Sequence, residues 1–421
     1  MELLYHSIIA GAILAASPYF FLRALTDPAF RKDLGQRLRS AQAIEPRRES
    51  VWVHASSVGE VRAAAPLLRA LRDRPGCPPT VISTFTAGGR ATADAEGLSP
   101  VFRLPPDLPW WTGPLLNRLK PRLLILIEAE FWPGLLHQCH KQNIPVLLVN
   151  GRISEKSCRR YAKIKPLFRW MTAPVNLFSM RSTADAERAQ RLGIAEQKIR
   201  VTGNLKFDAV ADTPNGDVPP CNAIRPPLLT FGSTRPGDEE PILDAVRRLR
   251  ADHPGLRCVL APRHLQRCAE VESLMRDRGF ACKRLSTLGS PEEEACAEMI
   301  LVDRMGELNR FYGKSSAAFV GGGFDPRWGG QNILEPALLR RPVVFGPHMD
   351  NFADEARLLV ESGGGIQVRS AGELHTALHQ LLSDPHDLLR RGDRAWQTLQ
   401  EHRGAVRKNL DLIDSLLRKR I

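Results

Sequence analysis

The sequence predicts an α/β protein made of two Rossmann-like domains, and three observations carry that expectation. Short apolar runs recur through the chain, and most end in a polar or glycine-rich turn that opens a helical pattern. One stretch, residues 211 to 228, holds five prolines and one glycine and divides these patterns into two similar halves. Ahead of both lies an uncharged run of twenty residues, Leu3 to Leu22.

Composition sets the bounds. A chain of 421 residues is long for one core and comfortable for two domains. The formal charge of +13 favours an anionic partner: nucleic acid, anionic lipid or a phosphorylated small molecule. Aromatics are sparse among the basic runs and no nucleic-acid motif accompanies them, so nucleic acid is not an expected partner. The eight cysteines form no CxxC pair and are expected as free thiols in a reducing compartment. The oligomeric state is left open.

At the amino terminus, Leu3 to Leu22 is just long enough to cross a bilayer core. Arg23, Arg31, Lys32, Arg37, Arg39, Arg47 and Arg48 follow, which places the later residues on the cytoplasmic side of an inner membrane. A spanning anchor, an interfacial helix and a core helix all remain open. An anionic lipid surface is an expected partner in the first two cases.

In the first half, Val51 to His54 reads as a strand that feeds ASSVGEV and a helix. Glu60 sits in the first turn of that helix. It either closes a capping box with Ser57 or acts as a general base at a strand-to-helix mouth. Thr80 to Ser83, Pro100 to Leu104, Leu123 to Ile127, Val146 to Val149, Val175 to Ser179 and Ile199 to Thr202 read as further strands. Glu128 and Glu130 follow the most apolar run, where carboxylates are costly unless solvated, paired or used. Trp132 either stacks on a sugar or closes the core. Lys206 and Asp208 follow the last strand, as a surface pair or with Lys206 facing an anionic substrate. Lys156, Arg159, Arg160, Lys163 and Lys165 form a basic cluster, either a solvated face or one that meets anionic lipid or an acceptor phosphate.

In the second half, Leu228 to Phe231, Arg257 to Ala261 and Met299 to Val302 read as strands. Arg263 stands at a strand end as a clamp for phosphate or carboxylate. Neighbouring His264 lacks a convincing metal-ligand spacing. Asp303 to Leu308 reads as a helix start carrying Glu307. The stretch 319 to 347, FVGGGFDPRWGGQNILEPALLRRPVVFGP, has the strand, glycine turn, helix, strand layout of a nucleotide or phosphate site. Its glycines either make tight turns or cradle a ligand beside Asn332 and Glu335.

Taken in order, HASSVGE, EAEFWP, GNLKFD, GST, PRH, MGEL and GGQNILEPA resemble the bacterial 3-deoxy-D-manno-octulosonic acid (Kdo) transferases. The resemblance runs from the amino terminus to at least residue 365. It implies a GT-B fold: an anchor over 1–22, an acceptor-binding domain over 23–210, a linker over 211–227 and a CMP-sugar domain over 228–400. A carboxyl-terminal helix over 401–421 would pack back on the first domain. It further implies inverting transfer of Kdo from CMP-Kdo to the lipid A precursor, with no metal and no cofactor beyond that donor. Carried over by position, Glu60 is the general base, Glu128 a second carboxylate with Glu130 as its alternate, and Lys206 a stabiliser of charge. Pro262, Arg263, Gly306, Glu307, Leu308, Asn332, Ile333, Leu334 and Glu335 fall in the donor site. The chain departs from the pattern at Gln331 (usually His), Ile333 (usually Pro) and Arg235 (usually His), and in the loop Phe324 to Trp328. These departures bear on loop shape and donor affinity.

Overall fold

The computed structural model describes residues 1–44, 49–98, 100–209 and 218–418. Arg47 and Arg48, most of the first half of the proline-rich stretch and residues 419–421 lie outside the described residues. The chain forms two compact units, residues 1–211 with 402–421, and residues 212–401.

The first unit is built on a parallel sheet of β1 (Val51–His54), β2 (Thr80–Thr84), β3 (Val101–Arg103), β4 (Leu123–Ile127), β5 (Val146–Gly151), β6 (Leu177–Met180) and β7 (Ile199–Val201). The spatial order is β3-β2-β1-β4-β5-β6-β7. Side chains alternate between two cores. Leu123, Ile125 and Ile127 enter one, and Leu124 and Leu126 the other. Both faces are dry, which explains why β4 reads as an unbroken apolar run. Helices Val58–Arg72 and Ala405–Arg418 contribute Val61, Leu68, Ile413 and Leu416 to the first core. Pro109–Leu119 and Pro133–Lys141 contribute Leu116 and Leu135 to the second.

The carboxyl-terminal helix is held by specific polar contacts as well as by its apolar face. Asp208 accepts from the amides of Gly404 (2.8 Å) and Val406 (2.6 Å). Asp208 thus caps that helix, its carboxylate taken up by two backbone amides. Buried Asn409 accepts from Ser179 Oγ at 2.6 Å and donates to Thr202 Oγ1 at 3.2 Å.

The second unit repeats the plan with β8 (Leu228–Thr234), β9 (Arg257–Pro262), β10 (Lys283–Arg284), β11 (Met299–Leu301), β12 (Ala317–Val320), β13 (Val343–Phe345) and β14 (Gly365–Gln367). Its order is β10-β11-β9-β8-β12-β13-β14, again all parallel. Two parallel sheets flanked by helices are consistent with GT-B. One expected helix is displaced: Asp303 to Glu307 forms a turn, and the helix is Leu308–Gly313. Gly306 in that turn has φ +87°, outside the right-handed helical region.

Helix Glu2–Thr26 buries no residue and has an apolar 18-residue window with mean hydropathy 1.7. By length and composition it is consistent with a membrane anchor. Its first turns are tied to the first unit. Tyr5 Oη donates to Asp107 Oδ2 at 2.7 Å, Lys141 Nζ meets Glu2 at 2.7 Å, and the Tyr5 ring lies 5.8 Å from that of Trp170. The other end is tied too, with Phe20 stacked on Phe30 at 6.1 Å.

Candidate active site

Each sheet winds outward from one strand, then restarts beside it. In the first unit the restart falls between β1 and β4, and in the second between β8 and β12. The carboxyl ends of the strands at such a restart are the usual ligand position in open parallel sheets. The candidate carboxylates of the first unit follow β1 and β4.

Ser57 caps the helix Val58–Arg72 and accepts from the Glu60 amide. The Glu60 side chain turns back. Its Oε2 accepts from the Ser56 amide at 2.7 Å and its Oε1 from Ser57 Oγ at 2.9 Å. The cap is thus a variant of the capping box, with the carboxylate reaching the amide before the N-cap and the N-cap hydroxyl, and it fixes the carboxylate at the strand mouth. Glu60 is 8% exposed. Burial pushes its carboxyl up to about 7; Glu130 and, less strongly, Glu128 add to the rise, while the Ser56 and Ser57 hydrogen bonds oppose it. A carboxyl with that value is matched to accepting a proton near neutral pH. The two readings of Glu60 are compatible, since the cap supplies the position and the burial supplies the basicity.

Glu128 has left-handed backbone, with φ +64°, and its amide donates to Val149 O at 2.9 Å. Such a conformation in a non-glycine residue carries strain, and strain of this kind gathers at functional sites. Burial, followed by the Glu128 charge, raises the Glu130 carboxyl. Trp132 stands on Phe85 (5.0 Å) and donates its indole N–H to His54 Nε2 at 3.1 Å. His54 Nδ1 lies 2.9 Å from Ser83 Oγ, and full burial drives the imidazole down to about 3. A neutral His54 is a fixed support for Trp132 rather than a proton carrier.

Lys206 lies in the helix Leu205–Ala209, which packs on the Glu60 helix. Its amide donates to Asn204 Oδ1 at 3.0 Å. Beside it, Asn150, next to last in β5, has φ +58° and accepts from the Leu205 amide at 3.0 Å. Asn150 Nδ2 is buried without a hydrogen-bond partner among the described residues.

In the second unit, the restart is organised by Asp238, which the sequence reading did not single out. Its Oδ2 accepts from the amides of Gly322 (2.6 Å) and Arg235 (2.7 Å), and Oδ1 from that of Phe324 (3.4 Å). Burial lifts Asp238 to about 6 against those three bonds. It joins the turn after β8 to the turn after β12. The glycines of the long motif are fitted to the same junction. A Cβ on Gly321 would come within 2.6 Å of Thr234 Cα, and one on Gly323 within 2.8 Å of the Gly346 amide. Close backbone approach thus accounts for these two glycines without a ligand.

The remaining donor candidates divide by exposure. Pro262 ends β9, and Arg263 is half-buried with its amide on Thr234 O at 3.0 Å. Glu307 pairs with Arg310 at 2.8 Å. Leu308 is half-buried at the start of its helix. Ile333 and Leu334 are core residues, 0% and 1% exposed, so only their backbone is offered to a ligand. Asn332 Nδ2 donates to Glu335 Oε1 at 3.0 Å, and its Oδ1 accepts from the Leu334 amide at 3.2 Å. Tyr312 Oη is buried without a hydrogen-bond partner among the described residues, and a Cβ on Gly232 would strike it at 2.0 Å. Two departures from the family pattern meet here. The Arg235 guanidinium lies 4.8 Å over the Trp328 ring, and Trp328 Nε1 donates to Pro236 O at 3.2 Å.

The family model of the 3-deoxy-D-manno-octulosonic-acid transferase (kdotransferase) matches residues 32–209. The 3-deoxy-D-manno-octulosonic acid transferase of Haemophilus influenzae is 35% identical over 95% of both chains. The chain belongs to the Kdo transferase family. The transferase of Bordetella pertussis is also similar, 34% identical over 90% of each chain. Among solved structures, the UDP-GlcNAc 2-epimerase of Neisseria meningitidis bound to UDP-GlcNAc matches 88% of this chain and all of its own (TM-score 0.59, 15% identity). A glycosyltransferase from Rickettsia africae matches 88% of this chain and 99% of its own (TM-score 0.57, 13% identity). At such identities the likeness shows the fold alone.

The family makes this chain a glycosyltransferase and is consistent with a CMP-sugar donor. Asp238, His54, Asn150 and Tyr312 are the residues at the two restarts that sequence reasoning passed over. The left-handed positions Glu128, Asn150 and Ser233 all fall at strand ends, and no residue-type pattern announces them. Asp238 carried a weak signal, an acidic residue just after the polar turn GSTRPG.

Proposed function

We propose that this chain transfers Kdo from CMP-Kdo to the tetraacylated, bis-phosphorylated glucosamine disaccharide precursor of lipid A, with inversion and release of CMP. The observation that carries the reading is Glu60: a buried carboxyl raised to about 7 at the restart of the first sheet. In this mechanism Glu60 takes the proton of the attacking acceptor hydroxyl. The new bond forms at the Kdo anomeric carbon while the bond from that carbon to the CMP phosphate oxygen breaks on the opposite face. Charge builds on the leaving phosphate and positive character on the sugar ring. Lys206 and Arg263 offset the first, and Glu128 or Glu130 the second. Asn332 and Glu335, with the backbone of Pro262, Gly306 to Leu308 and Ile333 to Leu334, hold the donor. No metal or cofactor is assigned to these steps.

The helix Glu2–Thr26 anchors the chain at the cytoplasmic face of the inner membrane. The ties of Tyr5 and Phe20 to the first unit support an interfacial helix over a spanning one.

The deciding experiment incubates purified protein with CMP-Kdo and the lipid A precursor, and follows product mass and linkage. One or more added Kdo residues and free CMP are expected. Competition by CMP but not by UDP or UMP separates this activity from UDP-sugar chemistry on the same fold. Absence of any Kdo adduct in the presence of intact donor and acceptor overturns the proposal.

A further inference from the structure

Away from the strand mouths, the second unit brings together side chains that are far apart in sequence. The helix Glu239–Asp252 ends at Asp252, with His253 as its C-cap, just before β9 begins at Arg257. It packs on the helix Ala371–Ser383, which presents His375 and His379 one turn apart on a single face. Because the first of these helices runs back from the carboxyl end of β8, this junction lies at the amino-terminal edge of the sheet. The donor candidates stand at the other edge.

His379 Nδ1 lies 3.4 Å from Asp252 Oδ2, and His375 Nε2 lies 4.0 Å from the same oxygen. All three ligand atoms fall within 4.8 Å of one another. A tetrahedral zinc ion with bonds of 2.0–2.1 Å to nitrogen sets its ligands roughly 3.3 Å apart, so small side-chain shifts complete the set. The two ring nitrogens are buried and make no hydrogen bond among the described residues, and His253 Nε2 is in the same condition. Three buried imidazole nitrogens without a hydrogen bond thus stand beside one carboxylate, whereas buried polar atoms ordinarily have such a partner. The His253 ring lies 5.3 Å from that of His379.

We propose that Asp252, His375 and His379 form a binding site for a divalent transition metal of the zinc type, with His253 standing beside it. Imidazole and carboxylate ligands favour such an ion over calcium or magnesium. The ion would staple the end of one helix to the face of another, remote from the transfer reaction.

The test uses the full chain, purified in detergent and stripped with chelator. Cobalt(II) is titrated as a spectroscopic probe and zinc as competitor. One equivalent of cobalt is expected, with the visible bands of a tetrahedral or five-coordinate nitrogen and oxygen site, displaced by zinc. The paired variant His375→Ala/His379→Ala should bind at least tenfold more weakly, and zinc should raise the melting temperature of the parent but not of the variant. Transfer activity should be unchanged between the two. Should the double variant fail to fold, Asp252→Asn, which keeps both imidazoles, is expected to weaken cobalt binding and alter its spectrum. Parent protein without stoichiometric cobalt binding, or binding that neither variant changes, overturns the proposal.

Discussion

Glu60 Oε2 receives the amide hydrogen of Ser56 at 2.7 Å, so the candidate base is held by the turn that precedes its own helix. The hydrogen bond does two things at once. It finishes the helix cap and it aims a carboxylate at the strand mouth. Glu60→Gln keeps an oxygen that can accept from Ser56 but cannot take a proton. Transfer should fall by roughly 10²–10⁴-fold, the usual weight of a general base. CMP-Kdo affinity should change less than about threefold, because uniform binding is not what the base supplies. Steady-state kinetics with the lipid A precursor, alongside donor titration, checks both. Turnover near that of the parent would place the base elsewhere.

The raised carboxyl also ties stability and activity to pH with opposite signs. The folded value of about 7 exceeds the ordinary 4.5. Between these values the folded protein keeps a proton that the unfolded chain has released. Stability from this group is therefore full below pH 4.5 and is lost as pH rises through about 7. A gap of that size corresponds to something on the order of 3 kcal/mol. Activity runs the other way, since the base works only once deprotonated. Glu60→Gln should flatten the pH dependence of unfolding across this window in urea titrations. Glu130→Gln should move the acid limb of the parent rate profile to lower pH, and Glu128→Gln should move it less, following the order of their effects on Glu60.

Glu128 separates a backbone requirement from a chemical one. Its φ of +64° suits glycine better than any residue with a Cβ. Glu128→Gly should be about 1 kcal/mol more stable than Glu128→Ala, and both should lose transfer if the carboxylate serves the reaction. Thermal unfolding and product analysis on the same samples separate the two effects. An active Glu128→Gly would shift the second carboxylate to Glu130.

Much of this was legible in the sequence because the strands of a doubly covered parallel sheet are apolar on both faces. Runs such as Leu123 to Ile127 announce themselves, and β10, only Lys283–Arg284, does not. The Ser57 cap over the Glu60 amide was readable as a three-residue spacing, while the return bond to the Ser56 amide was not. What spacing cannot show is partnership across the fold. Asp208 sits near Lys206 in sequence, yet caps a helix about 200 positions later. The burial of Ile333 and Leu334 was hidden for the same reason: a family motif records which residues recur, not whether side chain or backbone is used. Asp238 lay in a plain polar turn, and only the approach of the Gly321 to Phe324 segment gives it three amides to hold.

That role makes Asp238 a structural test of the second unit. Asp238→Ala leaves the amides of Gly322, Arg235 and Phe324 without their acceptor. Buried donors left unmade cost roughly 1–3 kcal/mol each, and partial access to water reduces the total. We expect a loss of about 2–4 kcal/mol in urea unfolding, with Asp238→Asn in between because one carbonyl oxygen remains. Donor affinity should weaken in parallel, since the same turn carries Arg235. A neutral effect of Asp238→Ala would mean that water replaces the carboxylate without cost.

The amino-terminal helix offers the last prediction. From Tyr5 to Thr26 it rises about 30 Å, the thickness of a bilayer core. A spanning helix would carry Tyr5 to the far side, where Asp107 could not follow. Yet Tyr5 Oη is 2.7 Å from Asp107, which also accepts from the amides of Gly134 and Leu135 at 2.8 and 2.7 Å. Meanwhile Leu3, Leu14, Phe21 and Leu22 are all strongly exposed. A helix tied at both ends, with apolar side chains turned outward, suits the interface of one leaflet. An epitope placed before Met1 should therefore be cleaved by protease in inverted inner-membrane vesicles and protected in right-side-out ones. Tyr5→Phe should leave the protein membrane-bound and lower its stability by about 1 kcal/mol, the worth of one hydrogen bond. Cleavage of the epitope only in right-side-out vesicles would instead establish a spanning helix.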